Sequence, residues 1–474
     1  MFPTIPVAAF AVLASIIAVS CRRTGGPTFP LLLALACAFL SRIRWEIGGS
    51  TVRLEQIALL FLFADTLRRV LLGRIKVEIP LPAALLAALF PVMLLSSALG
   101  SPDPMFSLRK SLVYLPYTLG LLAVAVEIAD ARFAPAWDAL WNFGASAIGL
   151  SVAAFFLFYA GWDLGMVRYE LGFSSLRGTM ISTNLFGSAS ALTLIIFLHR
   201  IMNGPGRAGL GRRLEVAVVA LAAAGTVFSR ARTAWIIAAV GMLAVLVWGY
   251  QARRGRELVR GAALAAAGTL AALLFLAVRL PVHSTLKPGV SWGEFGIAAE
   301  DIFWKTGQFT KPKLAAPAPS PGAKAPEFTD EEIHRLLKSF SLGHRLQAVS
   351  AALVDWKKSP VLGRGTDSMS LLNESPILSY VPVAAAQVLH DWGLLGLGLY
   401  FSALGIMAAS LFWTAFSVRA APLRAGAWSL LLVLLLSTLA YQVTSALAVS
   451  MGWILLAFCA AGAAFLRGPA AGED

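Results

Sequence analysis

Apolar runs of bilayer-spanning length recur along the whole chain, most of them joined by short, arginine-bearing connections. They fall near 3–21, 26–43, 54–72, 82–100, 111–128, 139–161, 183–202, 214–229, 233–250, 261–279, 384–414, 425–443 and 446–466. Each is close to the ~20 residues that a helix needs to cross ~30 Å of hydrocarbon. In lipid a backbone must satisfy its own hydrogen bonds, so such runs are helices. Ala, Leu and Gly dominate them, which suits close helix packing. The expected fold is therefore all-α: a polytopic transmembrane bundle of about 12–13 helices. With 58% hydrophobic and 14% charged residues, the chain needs lipid as the solvent for much of its surface. The first two segments either both span or form one hairpin that does not fully cross. Met1-Phe-Pro-Thr4 lacks a basic leader, so the first segment is read as retained.

Loop charge sets the expected orientation. Arg22 and Arg23, then Arg68, Arg69, Arg74 and Lys76, then Arg207, Arg212 and Arg213, then Arg253, Arg254, Arg256 and Arg260, then Arg419 and Arg424, all fall on one side. By the positive-inside bias that side is cytoplasmic. The net charge of +14 thus points to membrane lipids rather than to nucleic acid. The organisation expected is transmembrane helices over 1–279, a long periplasmic loop over 280–383 and C-terminal transmembrane helices over 384–474. Within the loop, the stretch from Lys311 to Pro326 is rich in Pro, Ala and Lys and reads as extended. Thr329-Asp-Glu-Glu332 forms a capping box for a helix to about Lys338. A second helix, from about Leu346 to Lys358, carries apolar residues at helical spacing and ends at Ser359-Pro360.

Cys21, Cys37 and Cys459 show no pairing or zinc spacing, and the five histidines lack metal-ligand spacing, so no metal or other cofactor is expected. Pro360-Val-Leu-Gly-Arg-Gly365 lacks the Gly-Lys-Ser/Thr end of a phosphate loop, and its glycines are read as letting a turn re-enter the bundle. A nucleotide-driven pump is disfavoured.

Four arginines oppose the charge bias. Arg177 precedes a helix, Arg230 and Arg232 occupy a tight turn between two helices, and Arg345 lies in the long outer loop. Two readings fit. These side chains snorkel to lipid or pair with Asp163, Glu170 or Asp367. Alternatively they clamp a lipid-linked diphosphate, whose charges need cations at this depth and which a guanidinium fork matches. His390, followed by Asp391, is either a general base at the outer boundary or part of an interfacial helix cap.

Arg177-Gly-Thr-Met-Ile-Ser-Thr-Asn184 resembles a helix-entrance segment of the O-antigen ligase and polysaccharide polymerase family. Phe228-Ser-Arg-Ala-Arg-Thr-Ala-Trp235 is similar to that family's Ser-Arg turn. His344-Arg345, Trp356 and Pro360-Val-Leu-Gly-Arg-Gly365 resemble its long periplasmic loop, and Asp391-Trp-Gly-Leu-Leu-Gly396 its Glu-x-Gly-Leu-x-Gly helix start. The matches keep the family's order over roughly 165–400. The resemblance implies metal-independent transfer of a glycan from an undecaprenyl diphosphate donor to another lipid-linked glycan or to lipid A-core, in a bacterial inner membrane, with the site facing the periplasm. Carried over by position, Arg177, Arg230 and Arg345 would bind the diphosphate, with Arg232 beside them. The family's histidine before the Glu-x-Gly is replaced here by Tyr380-Val-Pro-Val383. The base is thus left open among His390, Asp391, His344 and Glu374. A transporter or flippase of lipid-linked saccharides is the alternative, using the same arginines without chemistry.

Overall fold

The computed structural model describes residues 4–23, 27–47, 50–129, 133–170, 173–180, 182–203, 210–251, 255–277, 348–372, 381, 383–418, 420–443 and 449–466. The loop readings at Lys311–Pro326, Thr329–Lys338, His344, Arg345 and Glu374 lie outside these residues.

The chain is an all-α bundle, and seven helical segments among the described residues are long and apolar enough to cross a membrane. The first half comprises α1 (Thr4–Arg23), α2 (Phe29–Cys37), α3 (Leu54–Leu71), α4 (Leu81–Ala87), α5 (Leu89–Leu99), α6 (Pro104–Leu112), α7 (Leu115–Ala129) and α8 (Phe133–Tyr159). Then come α9 (Thr183–Asn203), α10 (Leu210–Phe228), α11 (Arg232–Gln251) and α12 (Gly255–Ala277). The chain continues with α13 (348–356), α14 (Met369–Leu372), α15 (Ala384–Ser417), α16 (Ala421–Val443) and α17 (Ser450–Phe465). Two short antiparallel hairpins interrupt the helices: β1 (Arg44–Ile47) with β2 (Ser50–Arg53), and β3 (Val167–Glu170) with β4 (Phe173–Leu176). The sequence reading held no strands. Four-residue strands in polar connections carry too little periodicity to register against apolar runs of five times their length.

Contacts sort the helix ends into two faces. At one face Arg69 pairs with buried Glu127 at 2.5 Å, and Arg200 with Asp138 at 2.5 Å, joining the ends of α3 and α7 and of α9 and α8. At the other lie both hairpins, the α5–α6 turn, the α10–α11 turn, and the segment from α13 to the start of α15. Here Ser450 donates to buried Glu55 at 2.9 Å, tying the first turn of α17 to that of α3. The core between the faces is one continuous apolar cluster that includes Trp141, Trp392, Phe155 and Phe458.

Glycines set two of the closest approaches. Gly187 in α9 lies against the α10–α11 turn, where a Cβ would stand 2.8 Å from Ala234 Cβ and 3.0 Å from Ala231 Cβ. Gly393 breaks α15 with φ 64 and ψ −164, a conformation open to glycine alone.

Candidate functional site

Two polar clusters stand on the hairpin face, with β1–β2 between them. The first is basic. Phe228, fully buried, stacks on Phe155 with ring centroids 4.3 Å apart and fixes the end of α10. Ser229 then locks the turn: its hydroxyl donates to the Thr226 carbonyl at 2.7 Å and accepts the Ala231 N–H at 3.2 Å. Trp235 Nε1 donates to the same carbonyl at 3.2 Å. Between these anchors Arg230 takes φ 52, a left-handed conformation costly for a side-chain-bearing residue. Arg230 is half-buried and Arg232 is exposed.

Arg177 reaches the same region from the β3–β4 hairpin. Its N–H and that of Gly178 both donate to the Met166 carbonyl at 3.1 Å. Gly178, at φ 55, presses on the Phe186 ring, and the next residue, Gly187, is the one seated on the Arg230 turn. Thus the Arg177 and Arg230 turns share a two-residue stretch of α9. Arg177 is half-buried, and its Nε is buried with no hydrogen-bond partner among the described residues. Arg42, which the sequence did not single out, adds a third guanidinium. Its Nη1 donates to the Gly165 carbonyl. Burial pulls its pKa down to about 10; the Arg177 charge adds to the fall and Asp163 opposes it.

The second cluster is built on the break in α15. The turn from Ser359 to Gly365 lies backbone to backbone on His390–Leu395. Arg364 N–H donates to the His390 carbonyl at 2.8 Å, Gly365 N–H to that of Asp391 at 2.9 Å, and Leu394 N–H to that of Pro360 at 2.9 Å. The approach is so close that a Cβ on Gly363 would fall 2.5 Å from the Asp391 carbonyl carbon and from Gly393 N. Helices α5 and α6 close the cluster: Ser97 Oγ accepts the Thr366 N–H at 3.1 Å, and Ser111 Oγ lies 2.7 Å from Thr366 Oγ1. Trp392 Nε1 donates to the same Thr366 hydroxyl at 3.1 Å.

Inside this frame His390 sits between two carboxylates, with Nδ1 2.7 Å from Asp391 Oδ1 and Nε2 3.2 Å from Asp355 Oδ2. Asp355, in the last turn of α13, also meets Arg364 Nε at 3.1 Å and Lys358 Nζ at 2.7 Å. Burial alone would raise the Asp355 carboxyl, but hydrogen bonds from Lys358, Arg364 and His390 hold it below the usual carboxylate range. Asp391 Oδ2 accepts the backbone N–H of Asp367, and Asp367 pairs with Lys110 at 2.9 Å. Among the described residues no group of three His, Cys, Asp or Glu side chains is placed to hold a metal ion.

The β1–β2 hairpin connects the clusters. Arg42 precedes it and Arg53 ends it, so both stand at its open end, where Arg44 pairs with Arg53; from there Arg53 reaches the Tyr117 hydroxyl at 3.5 Å and buried Glu55 at 3.6 Å. Tyr114 packs edge-on to Tyr117 at 6.4 Å and to Trp392 at 5.8 Å. Of the residues singled out from sequence, Arg177 and Arg230 share one cluster with Arg232 nearby, and His390 and Asp391 share the other. Asp355, Arg364, Lys110, Arg42 and Arg53 were missed, and Asp367 was read only as a possible partner for arginine. No protein-family model matches the chain, and a search of curated proteins finds no match.

Proposed function

We propose that the chain is a membrane-embedded glycan transferase of the polymerase or ligase kind. The donor is a saccharide on undecaprenyl diphosphate. The acceptor is a sugar hydroxyl of another lipid-linked glycan or of lipid A-core, and the reaction runs at the periplasmic face of a bacterial inner membrane. One observation carries the reading. Two arginine turns from separate parts of the chain meet on one stretch of α9, and Arg177 Nε is buried there with no hydrogen-bond partner among the described residues. Guanidinium groups gathered at such a boundary suit an anion that brings more than one charged oxygen. In the reaction the diphosphate gains charge as it leaves, and prearranged cations stabilise that charge.

The test uses purified protein with a lipid-linked oligosaccharide donor and an acceptor glycan. Arg177→Ala and Arg230→Ala should each lower turnover about 10²–10³-fold, the usual scale for one lost charge-stabilising donor. Unchanged turnover in both would remove the clamp.

The break in α15 favours a second reading, since discontinuous helices are a hallmark of transporters. Its residues, however, are tied by backbone hydrogen bonds to the 359–365 turn, which makes the break a fixed seat rather than a gate. Loss of polymer with repeat units still exported would support the transferase; units retained inside would support transport.

A further inference from the structure

We propose that Asp367 is the general base that takes the proton of the attacking acceptor hydroxyl, an inference that rests on the transfer reaction proposed above. Its place in the acidic cluster differs from that of every neighbour. Asp355 is 5% exposed and engages Lys358, Arg364 and His390. Asp391 is 1% exposed, with one carboxylate oxygen on His390 and the other on the Asp367 N–H. His390 is 1% exposed and has a carboxylate oxygen against each ring nitrogen, so neither nitrogen offers a lone pair to a substrate proton.

Asp367 alone combines access with a held geometry. Its side chain is 31% exposed, Oδ2 is on Lys110 Nζ, and Oδ1 has no partner among the described residues. Its backbone takes φ 60, sparsely populated for a residue with a side chain. Asp391 holds that conformation by accepting its N–H at 3.1 Å. A solvent-facing carboxylate whose backbone its neighbours hold in one conformation is placed to work on a substrate. Burial raises the carboxyl above the usual range, and the charge of Asp391 adds to the rise while Lys110 opposes it. The charged or titratable groups facing Asp367 are Lys110 from α6, Asp391 from α15 and Tyr114 between α6 and α7.

The step balances without a co-reactant. The acceptor oxygen forms a bond to the anomeric carbon of the donor sugar. The bond from that carbon to the diphosphate oxygen breaks, and its electron pair leaves with the lipid diphosphate. The acceptor proton passes to the Asp367 carboxylate, and a single displacement of this kind inverts the anomeric centre.

The experiment measures turnover, donor binding and thermal unfolding of the full chain in lipid nanodiscs, for the wild type and for Asp367→Asn. Asn tolerates the left-handed conformation, so the turn persists. Turnover should fall about 10²–10⁴-fold at unchanged donor affinity and Tm. Asp367→Glu should recover part of the loss, and the acid limb of the wild-type pH–rate profile should vanish in Asp367→Asn. Wild-type turnover with Asp367→Asn within threefold of it overturns the assignment. So does a loss of donor binding or of Tm, which would make the residue structural, and so does a product of retained configuration. A wild type that transfers nothing overturns the transfer reaction itself.

Discussion

The basic and acidic clusters share a face of the bundle but are finished differently. In the acidic cluster nearly every buried polar group has a partner: the 359–368 turn is laced to α15 and to helices α5 and α6, and His390, Asp355 and Asp391 answer one another. In the basic cluster the backbone is fixed just as firmly, by Ser229, Met166 and the Phe228 stack, yet guanidinium groups are set side by side and Arg177 Nε is buried with no hydrogen-bond partner among the described residues. A polar network so nearly complete holds its members rigid, and in the acidic cluster it fixes Asp367 while leaving that carboxylate accessible. A cationic group fixed in place and incompletely answered by protein suits a ligand. The contrast teaches that charge density alone does not locate a binding site; the degree of satisfaction does.

The contrast can be broken most severely at Gly363. An alanine there would collide with the Asp391 backbone at φ 81, where no flexible side chain can yield. Gly363→Ala should lower stability by more than about 4 kcal/mol, seen as loss of folded protein on size exclusion or as a collapsed Tm. Next in size is Asp355→Asn, which strips the carboxylate from Lys358, Arg364 and His390 and should cost about 3 kcal/mol. The same residue gives a pH signature. A carboxyl held below its unfolded value of about 3.9 contributes its stability above that pH and loses it as pH falls through the folded value. Tm of the wild type should therefore drop more steeply below about pH 4 than that of Asp355→Asn.

The smallest effect sharpens the comparison from the basic side. Arg230 holds a left-handed conformation that glycine adopts at no steric cost, a gain offset by the entropy glycine loses on folding, so Arg230→Gly should change stability by less than about 1 kcal/mol while abolishing most transfer activity. A loss of more than about 2 kcal/mol would mean that the guanidinium belongs to the scaffold after all.

Much of this architecture was legible in the residues. Periodicity-free apolar runs locate α3, α9, α11, α16 and α17 closely, because lipid leaves a backbone no other option. The run at 82–100 is split into α4 and α5, and the helix around 111–128 gains α6 in front of it, details that depend on local packing rather than hydropathy. Arg177 and Arg230 stood out because charge at the wrong side of a membrane is expensive. Asp355 did not stand out, since on a surface helix it reads as one polar residue among lysines. Only the return of the chain 35 residues later places His390 against it. Asp367 was read merely as a possible partner for arginine. Its left-handed backbone and its tie to Asp391 follow from a glycine-bearing turn folding onto a broken helix, a pairing between distant segments that no local pattern encodes.

The break at Gly393 also fixes a height. From Leu394 to Ser417 the helix is about 36 Å long at ~1.5 Å per residue, beyond the ~30 Å of hydrocarbon. The portion after Gly393 suffices to cross, which leaves His390 and Asp391 standing at the lipid headgroups like a mark on a gauge. A sugar joined through diphosphate to a lipid tail presents its first carbon at one elevation. In the transfer proposed above, an acceptor would be sorted by reach, by how far its hydroxyl stands off the bilayer, before any feature of its sugar is inspected.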